Sequence, residues 1–425
     1  MFEMLKTTST GRQMLRTATK TLGSASVVAA LIGGNPNAPD GGVVGTLTAI
    51  EQSNGDLAVV TGINTTAFPG LEVFGLVRYT SDGTLIGATH ASFFTDGVSS
   101  PIAVAVESNG DIVVVGTASA SIDAPLAFAI ARFKRDGKLD TTFGSGGLVT
   151  TQPQGPFPTP SAVIAQPNGQ ILVGGFVDGS GAHQGGQTVL VRYNSNGSLD
   201  TTFGTGGIVE VQDGIASPAA LAQLSDGSYL AVSGGTSVEF SSTGVLQTTV
   251  TPGTVVASLS SSQGGGPSGI ILPDGNPMFP SPTIFQPNGD YIAATTGCSF
   301  NSDCTGGTRI GVGRFLETGK LDKTFSAKVE SFNPPVTGSV AEAVALQADG
   351  QIVVGGLISD FAGGLVRLYS NGTQDTSFGS VDSFGICCSV ITDQTVTGLL
   401  IQTDGNIVVI GGLDGELAVS RYLAN

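Results

Sequence analysis
Residues 139–151 read LDTTFGSGGLVTT, and residues 199–211 read LDTTFGTGGIVEV. Two near-copies sixty positions apart signal an internal repeat, and repeats of this length build solenoids or propellers. Each copy follows a short turn: RFKRDG ends at Gly137 and RYNSNG ends at Gly197. The same turn recurs as RYTSDG (Gly83), EFSSTG (Gly244), RFLETG (Gly319) and RLYSNG (Gly372). A second set of turns alternates with the first, in stretches such as ESNGDIVVVG and QPNGQILVGG. Its glycines are Gly55, Gly110, Gly169, Gly227, Gly289, Gly350 and Gly405, which stand 55, 59, 58, 62, 61 and 55 residues apart. Seven units therefore run from residue 43 or so to the end of the chain.

The segments between turns are short and rich in Val, Ile and Leu, which is strand length with strand punctuation. One unit reads strand A, turn, strand B, loop, strand C, turn, strand D. Pro167-Asn168-Gly169 puts Pro where a type I turn wants it, and Gly takes the left-handed position of a three-residue loop. That geometry sets the residue five before Gly opposite the residue three after it. At the second turns these are Arg132 and Asp140, Arg192 and Asp200, Arg314 and Asp322, and Arg367 and Asp375. Cross-strand ion pairing accounts for all eight, so they are assigned a structural role. If exposed, each pair stabilises by ~1 kcal/mol or less. The fourth unit has Glu239 and Gln247 instead, and the first keeps Arg78 opposite Ile86. Three residues before each first-turn Gly stand Gln52, Glu107, Gln166, Leu224, Gln286, Gln347 and Gln402. The expectation is that each amide satisfies its own turn; the alternative is a ring of amides at a channel mouth.

These units predict an all-β fold: a seven-bladed β-propeller of four-stranded antiparallel blades, whose radial closure protects sheet edges. A linear β-solenoid is the runner-up. The seventh unit stops at SRYLAN without a strand D. The N-terminal stretch TKTLGSASVVAA (Thr19–Ala30) aligns with DTTFGSGGLVTT (Asp140–Thr151) and is expected to close the last blade. Residues 1–18 are then an extension, and 19–425 a single domain. A signal peptide is the competing reading, with Lys6, Arg12, Arg16 and Lys20 ahead of an apolar run from Ser26 to Ile32.

The pattern QPNGQILVGG…VLVRYNSNGSLDTTFG resembles the delta-60 repeat family, in which a QPDGK-like turn, a Gly-rich strand end, an ALARY-like strand and an LDxxFG ending recur. The likeness is strong in units two, three and six, fair in five, and incomplete in one, four and seven. It implies a propeller in a bacterial surface or exported protein. It carries over no catalytic residues.

Composition narrows the partners. Gly accounts for 64 of 425 residues without a G-X-Y period, so collagen is out. A net charge of −16 repels phosphate backbones and argues against nucleic acid. No apolar run approaches the roughly 18 residues of a membrane helix. Little Lys with much Ser, Thr and Gly suggests an extracellular or cell-surface setting, with the periplasm also allowed. GGGPSG lacks the GKS or GKT of a P-loop, and no GxSxG elbow occurs. No cofactor is expected.

Irregular sequence falls in the B–C loops and D–A connections, which share one face of a propeller, and variable loops on a rigid scaffold are where binding resides. That face is expected to hold His90, in the first D–A connection, and His183, in the third B–C loop. Their surroundings lack zinc spacing, so no metal is expected. Cys298 and Cys304 flank a short loop and suit a local disulfide in an exported protein. Cys387 and Cys388 are adjacent; a vicinal bridge is preferred over free thiols or metal ligands, despite its tight geometry. The Gly/Ser/Pro-rich stretch Ser258–Pro282 reads as a flexible loop, or alternatively as a lid or docking arm. The expected function is a non-enzymatic binding or structural scaffold that meets a protein or glycan through the loop face. Alternatives are a hydrolase or lyase at the channel mouth, and a self-assembling subunit of a lattice or filament, joined by the N-terminal extension or an outer blade edge.

Overall fold
A left-handed glycine turns each A–B and C–D hairpin: φ is 89° at Gly110, 82° at Gly169 and 87° at Gly197. Gly169 N donates to Gln166 O at 2.9 Å, and Gln166 N donates to Gln170 O at 2.8 Å, so the loop closes in the register that its residues predict. These hairpins organise the whole chain. The computed structural model describes residues 16–22, 25–31 and most of 48–422; the longer stretches outside the description are 178–186, 212–217, 251–281, 299–307, 326–339 and 380–388.

The described elements are strands in seven antiparallel sheets. Blade two is Val98–Val106, Ile112–Ser119, Ala127–Phe133 and Leu148–Thr151; blade three is Thr159–Ala165, Ile171–Val177, Gln187–Tyr193 and Ile208–Val211. Blades one, four and six are also four-stranded. Blade five shows three described strands, Thr283–Phe285, Tyr291–Cys298 and Thr308–Phe315.

Both faces of each blade are buried, which is why the middle strands read as continuous apolar runs rather than alternating ones. Successive side chains point to opposite sides of a sheet. In blade two, Ile112 and Val114 face blade one and pack with Ala58, Val60 and Phe74, while Val113 and Val115 face Ile171, Val173 and Val191 of blade three. The same logic gives one apolar cluster per seam. The seventh joins Val408, Ile410 and Val419 of the last blade to Leu57, Val59 and Tyr79 of the first, and so closes the ring.

The last blade is completed by the N-terminus. Ala25–Leu31 runs antiparallel to Glu416–Tyr422, with Val27 opposite Tyr422 and Leu31 opposite Ala418. The closing element differs from the continuous Thr19–Ala30 strand expected from alignment. Arg16–Leu22 folds back on Ala25–Leu31 as a fifth, outermost strand. The register differs too. Val149 lies opposite Ile130, two residues before Arg132, whereas its aligned counterpart Val28 lies opposite Arg421. The closing strand enters from its own hairpin rather than through an LDxxFG segment, so the alignment with that segment does not set its register.

Candidate functional site
The repeated LDxxFG segment is a detour between strands C and D. Asp140 N donates to Arg132 O at 2.8 Å, Phe143 N to Asp140 O at 3.0 Å, and Gly147 N to Phe143 O at 2.7 Å. The chain thus turns out of the hairpin and returns to begin strand D at Leu148. The Asp140 carboxylate holds the turn, accepting from the Thr142 hydroxyl at 2.8 Å and amide at 3.2 Å. Its other oxygen accepts from Arg132 Nε at 2.9 Å. All four predicted Arg–Asp pairs form, at 2.8, 2.7, 2.6 and 2.8 Å in chain order.

The pairs span the hairpin, and three of the four are buried rather than exposed. Arg132, Asp140, Arg192, Asp200, Arg367 and Asp375 are buried, and each guanidinium lies over the ring of the motif phenylalanine. The distance is 4.4 Å for Arg132 on Phe143, 4.5 Å for Arg192 on Phe203, 5.1 Å for Arg314 on Phe325 and 4.6 Å for Arg367 on Phe378. Their burial follows from what the arginines touch next. Arg132 Nη1 donates to Ser195 O at 2.6 Å, in the second turn of the following blade. Arg192 reaches Ser242 O at 2.6 Å, and Arg314 reaches Ser370 O at 2.9 Å. Arg78 reaches Asp136 O at 3.0 Å without a motif Asp, and Arg421 reaches Ser81 O at 2.7 Å across the closing seam. Phe143 packs against Gly197, where an added Cβ would lie 3.1 Å from the ring, and Gly144 N donates to Asn196 O at 2.9 Å. The motif is an inter-blade clasp.

The amide column also differs from expectation. Gln52 Nε2 donates to Arg135 O at 3.1 Å, Gln166 Nε2 to the Tyr229 hydroxyl at 2.9 Å, and Gln347 Nε2 to Gly405 O at 3.4 Å. Each reaches the next blade rather than its own turn, because the turn's backbone groups already pair among themselves. Burial works against ionisation of Asp375, but donors from Ser377, Arg367 and Tyr369 outweigh it and hold the carboxyl at about 2. Glu107, the one acid in the amide column, behaves oppositely: desolvation raises its pKa, with Arg132 giving partial relief.

His90 sits near the end of strand D of blade one (Leu85–Ala91), exposed and opposite Gly75, not in the connection beyond it. His183, Cys304, Cys387 and Cys388 lie outside the described residues, as does nearly all of Ser258–Pro282. Cys298 ends strand B of blade five, and its side chain is outside the description. Among the described residues, no group of three or more His, Cys, Asp and Glu converges. Nor is any helix long and apolar enough to cross a membrane.

Two features of the loop side escaped the sequence reading. Phe157, in the connection from blade two to blade three, is 60% exposed and holds a left-handed φ of 52°. Its loop is pinned by Gln154 N to Glu210 Oε1 at 2.7 Å and by Thr159 Oγ1 to Phe157 O at 3.2 Å. Phe94, in the preceding D–A connection, is also exposed. Glu342 occupies the bulge of blade six's innermost strand, Val340–Leu346; it is solvent-exposed, yet desolvation raises its carboxyl pKa. Pro158 beside Phe157 hinted at a rigid loop, but no local pattern signals a left-handed aromatic.

A closed ring of seven antiparallel sheets, four of which carry the Arg, Asp and Phe set, defines a repeat β-propeller. Residues 107–143, 166–203 and 347–378 match the family described as a domain of unknown function (DUF5122) beta-propeller. Each match runs from the first turn to the motif phenylalanine, so blades two, three and six are repeats of that propeller family. No curated protein sequence matches the chain. Among solved structures, the WD40 domain of Toxoplasma gondii coronin is 11% identical over 96% of this chain and 89% of its own, with a TM-score of 0.46. A puromycin hydrolase is 16% identical over 87% of this chain and 50% of its own, with a TM-score of 0.44. A Penicillium chrysogenum alpha-L-arabinanase is 12% identical over 91% and 96%, with a TM-score of 0.43. Likenesses this distant carry no functional information.

Proposed function
We propose that the protein is a non-enzymatic scaffold outside the cytoplasm that meets a protein or glycan through its B–C and D–A loop face. Phe157 is the observation that carries this reading. A bulky residue in left-handed backbone is strained, and such strain clusters where binding needs a pre-set side chain. Its loop is tied at both ends, so the ring is presented with little entropy left to lose on binding. Loop lengths support the same face. Two residues, 66–67, separate strands B and C of blade one, whereas nine, 178–186, do so in blade three and nine, 299–307, in blade five. The A–B turns, by contrast, are uniform. Charged groups of the repeat are engaged between blades, which favours a scaffold role for the motif. The test is a glycan array together with proximity labelling of surface proteins, run on wild type and on Phe157→Ser/Phe94→Ser. The proposal expects a ligand whose binding falls roughly tenfold in the double variant at unchanged melting temperature; ligands that bind both proteins equally overturn it.

Glu342 favours a second reading, a hydrolase or lyase at the channel. A carboxyl with a raised pKa suits a general acid. Hydrolysis of a glycoside or ester panel that Glu342→Gln abolishes would establish it.

A further inference from the structure
Four seams carry an arginine that donates to the second-turn carbonyl of the next blade, from blades two, three, five and seven, and Arg78 does the same from blade one. Blade four breaks the series. Glu239 holds the arginine position by register, opposite Leu230 and Thr248, just as Arg192 lies opposite Leu172. Leu224 replaces the bridging Gln. The motif Asp and Phe are absent as well, because strand D (Leu246–Val250) follows directly from the hairpin with Gln247 in a bulge.

The seam between blades four and five therefore presents acceptors where its neighbours present an arginine. Glu239 is half-buried, and among the described residues it forms no hydrogen bond or ion pair. Glu317, two residues before Gly319, stands where Ser195, Ser242 and Ser370 accept from arginine in other seams, and its own carboxylate is exposed. The rim is apolar: Val245 is 59% exposed, Leu246 39% and Leu316 38%. The corresponding turn positions of blade two are Lys138, Leu139 and Lys134, two of them charged. Lys320, on the same turn as Glu317, is exposed and makes no ion pair with Glu239 among the described residues.

We propose that this seam, on the tight-turn face, binds a partner polypeptide that inserts an arginine between Glu239 and the Glu317 carbonyl, with apolar side chains resting on Val245, Leu246 and Leu316. The protein's own seams show which group fits: a guanidinium, whose planar fork serves a carboxylate and a carbonyl together. The chain's net charge of −16 favours a cationic partner. The surface lies opposite the loop face and is independent of the scaffold reading.

The experiment measures binding of a labelled, end-capped Leu-Arg-Leu peptide by fluorescence polarisation, with the citrulline analogue, which is neutral and nearly isosteric, as control. Wild type is expected to prefer the arginine peptide by roughly tenfold. Glu239→Gln is expected to remove that preference. Glu239→Arg, which gives blade four the arginine its neighbours have, is expected to abolish binding while keeping or raising the melting temperature. Phe157→Ser is expected to leave it intact, which separates failure here from failure at the loop face. Equal binding of both peptides, equal binding by all variants, or no binding to wild type up to about 10 mM overturns the proposal.

Discussion

Arg192 serves five partners at once: Asp200 and Thr202 in its own hairpin, the Phe203 ring beneath it, and Ser242 and Tyr229 in the next blade. Its removal leaves a buried carboxylate without its counter-charge, a defect that costs about 3–5 kcal/mol. Arg192→Ala is accordingly predicted to destabilise by about 3 kcal/mol in urea unfolding; a loss under about 1 kcal/mol would mean that the pair behaves as a surface contact. Glu107 gives the opposite prediction. Arg132 Nη1 lies 3.5 Å from its Oε2, too long for a hydrogen bond, and that oxygen is otherwise unpaired. Its folded-state pKa is raised, so the folded chain holds this proton more tightly than the unfolded one. Stability from this group is present at low pH and is lost as pH rises from the ordinary carboxylate range through the raised value. Glu107→Gln should thus stabilise by about 1 kcal/mol at pH 7, and calorimetry should find the gain shrinking below about pH 4, where Glu107 is neutral in both states.

At the scale of single elements, the hairpins differ in one respect: blades two, three, five and six contain the Asp-x-x-Phe detour, and blades one and four do not. Blade one retains an inter-blade bridge through Arg78, whereas blade four retains none from the arginine or amide columns. Amides in Tyr229–Ser233 and Tyr291–Cys298 are predicted to exchange with deuterium about tenfold faster than those in Ile112–Ser119 and Ile171–Val177. Equal protection at the two seams would show that apolar packing alone sets local stability. The turns and the Arg–Asp register could be read from sequence because a glycine's φ and a hairpin's pairing are fixed within a dozen residues. The reach of Arg132 to Ser195 could not, since it joins groups 63 positions apart and nothing inside one unit shows its neighbour. The same blindness turned Gln52, Gln166 and Gln347 inward to their own turns. Phe157 was missed for a different reason: its significance lies in a backbone angle, which composition and spacing do not encode.

For the whole molecule, the decisive contact is between its two ends. Alignment located the closing strand, but it joined Thr19–Leu22 to that strand, so the separate outermost strand Arg16–Leu22 was invisible. The two strands should differ in consequence. Deleting residues 1–24 removes Arg16–Leu22 and keeps Ala25–Leu31, and stability should change by less than about 1 kcal/mol. Deleting residues 1–31 bares the Glu416–Tyr422 edge, and unpaired edges template aggregation. Size-exclusion chromatography should find the shorter deletion monodisperse and the longer one aggregated; identical behaviour would show that the ring holds without its borrowed strand.

The clasp also has a direction, because Arg78, Arg132, Arg192, Arg314 and Arg421 each point from their own blade to the one that follows. A unit that carries the arginine thus comes with a plug on one flank and the matching receptacle on the other. A gene segment copied in full would yield a module able to join both neighbours on arrival, so lineages could add or drop blades by recombination without inventing a new joint.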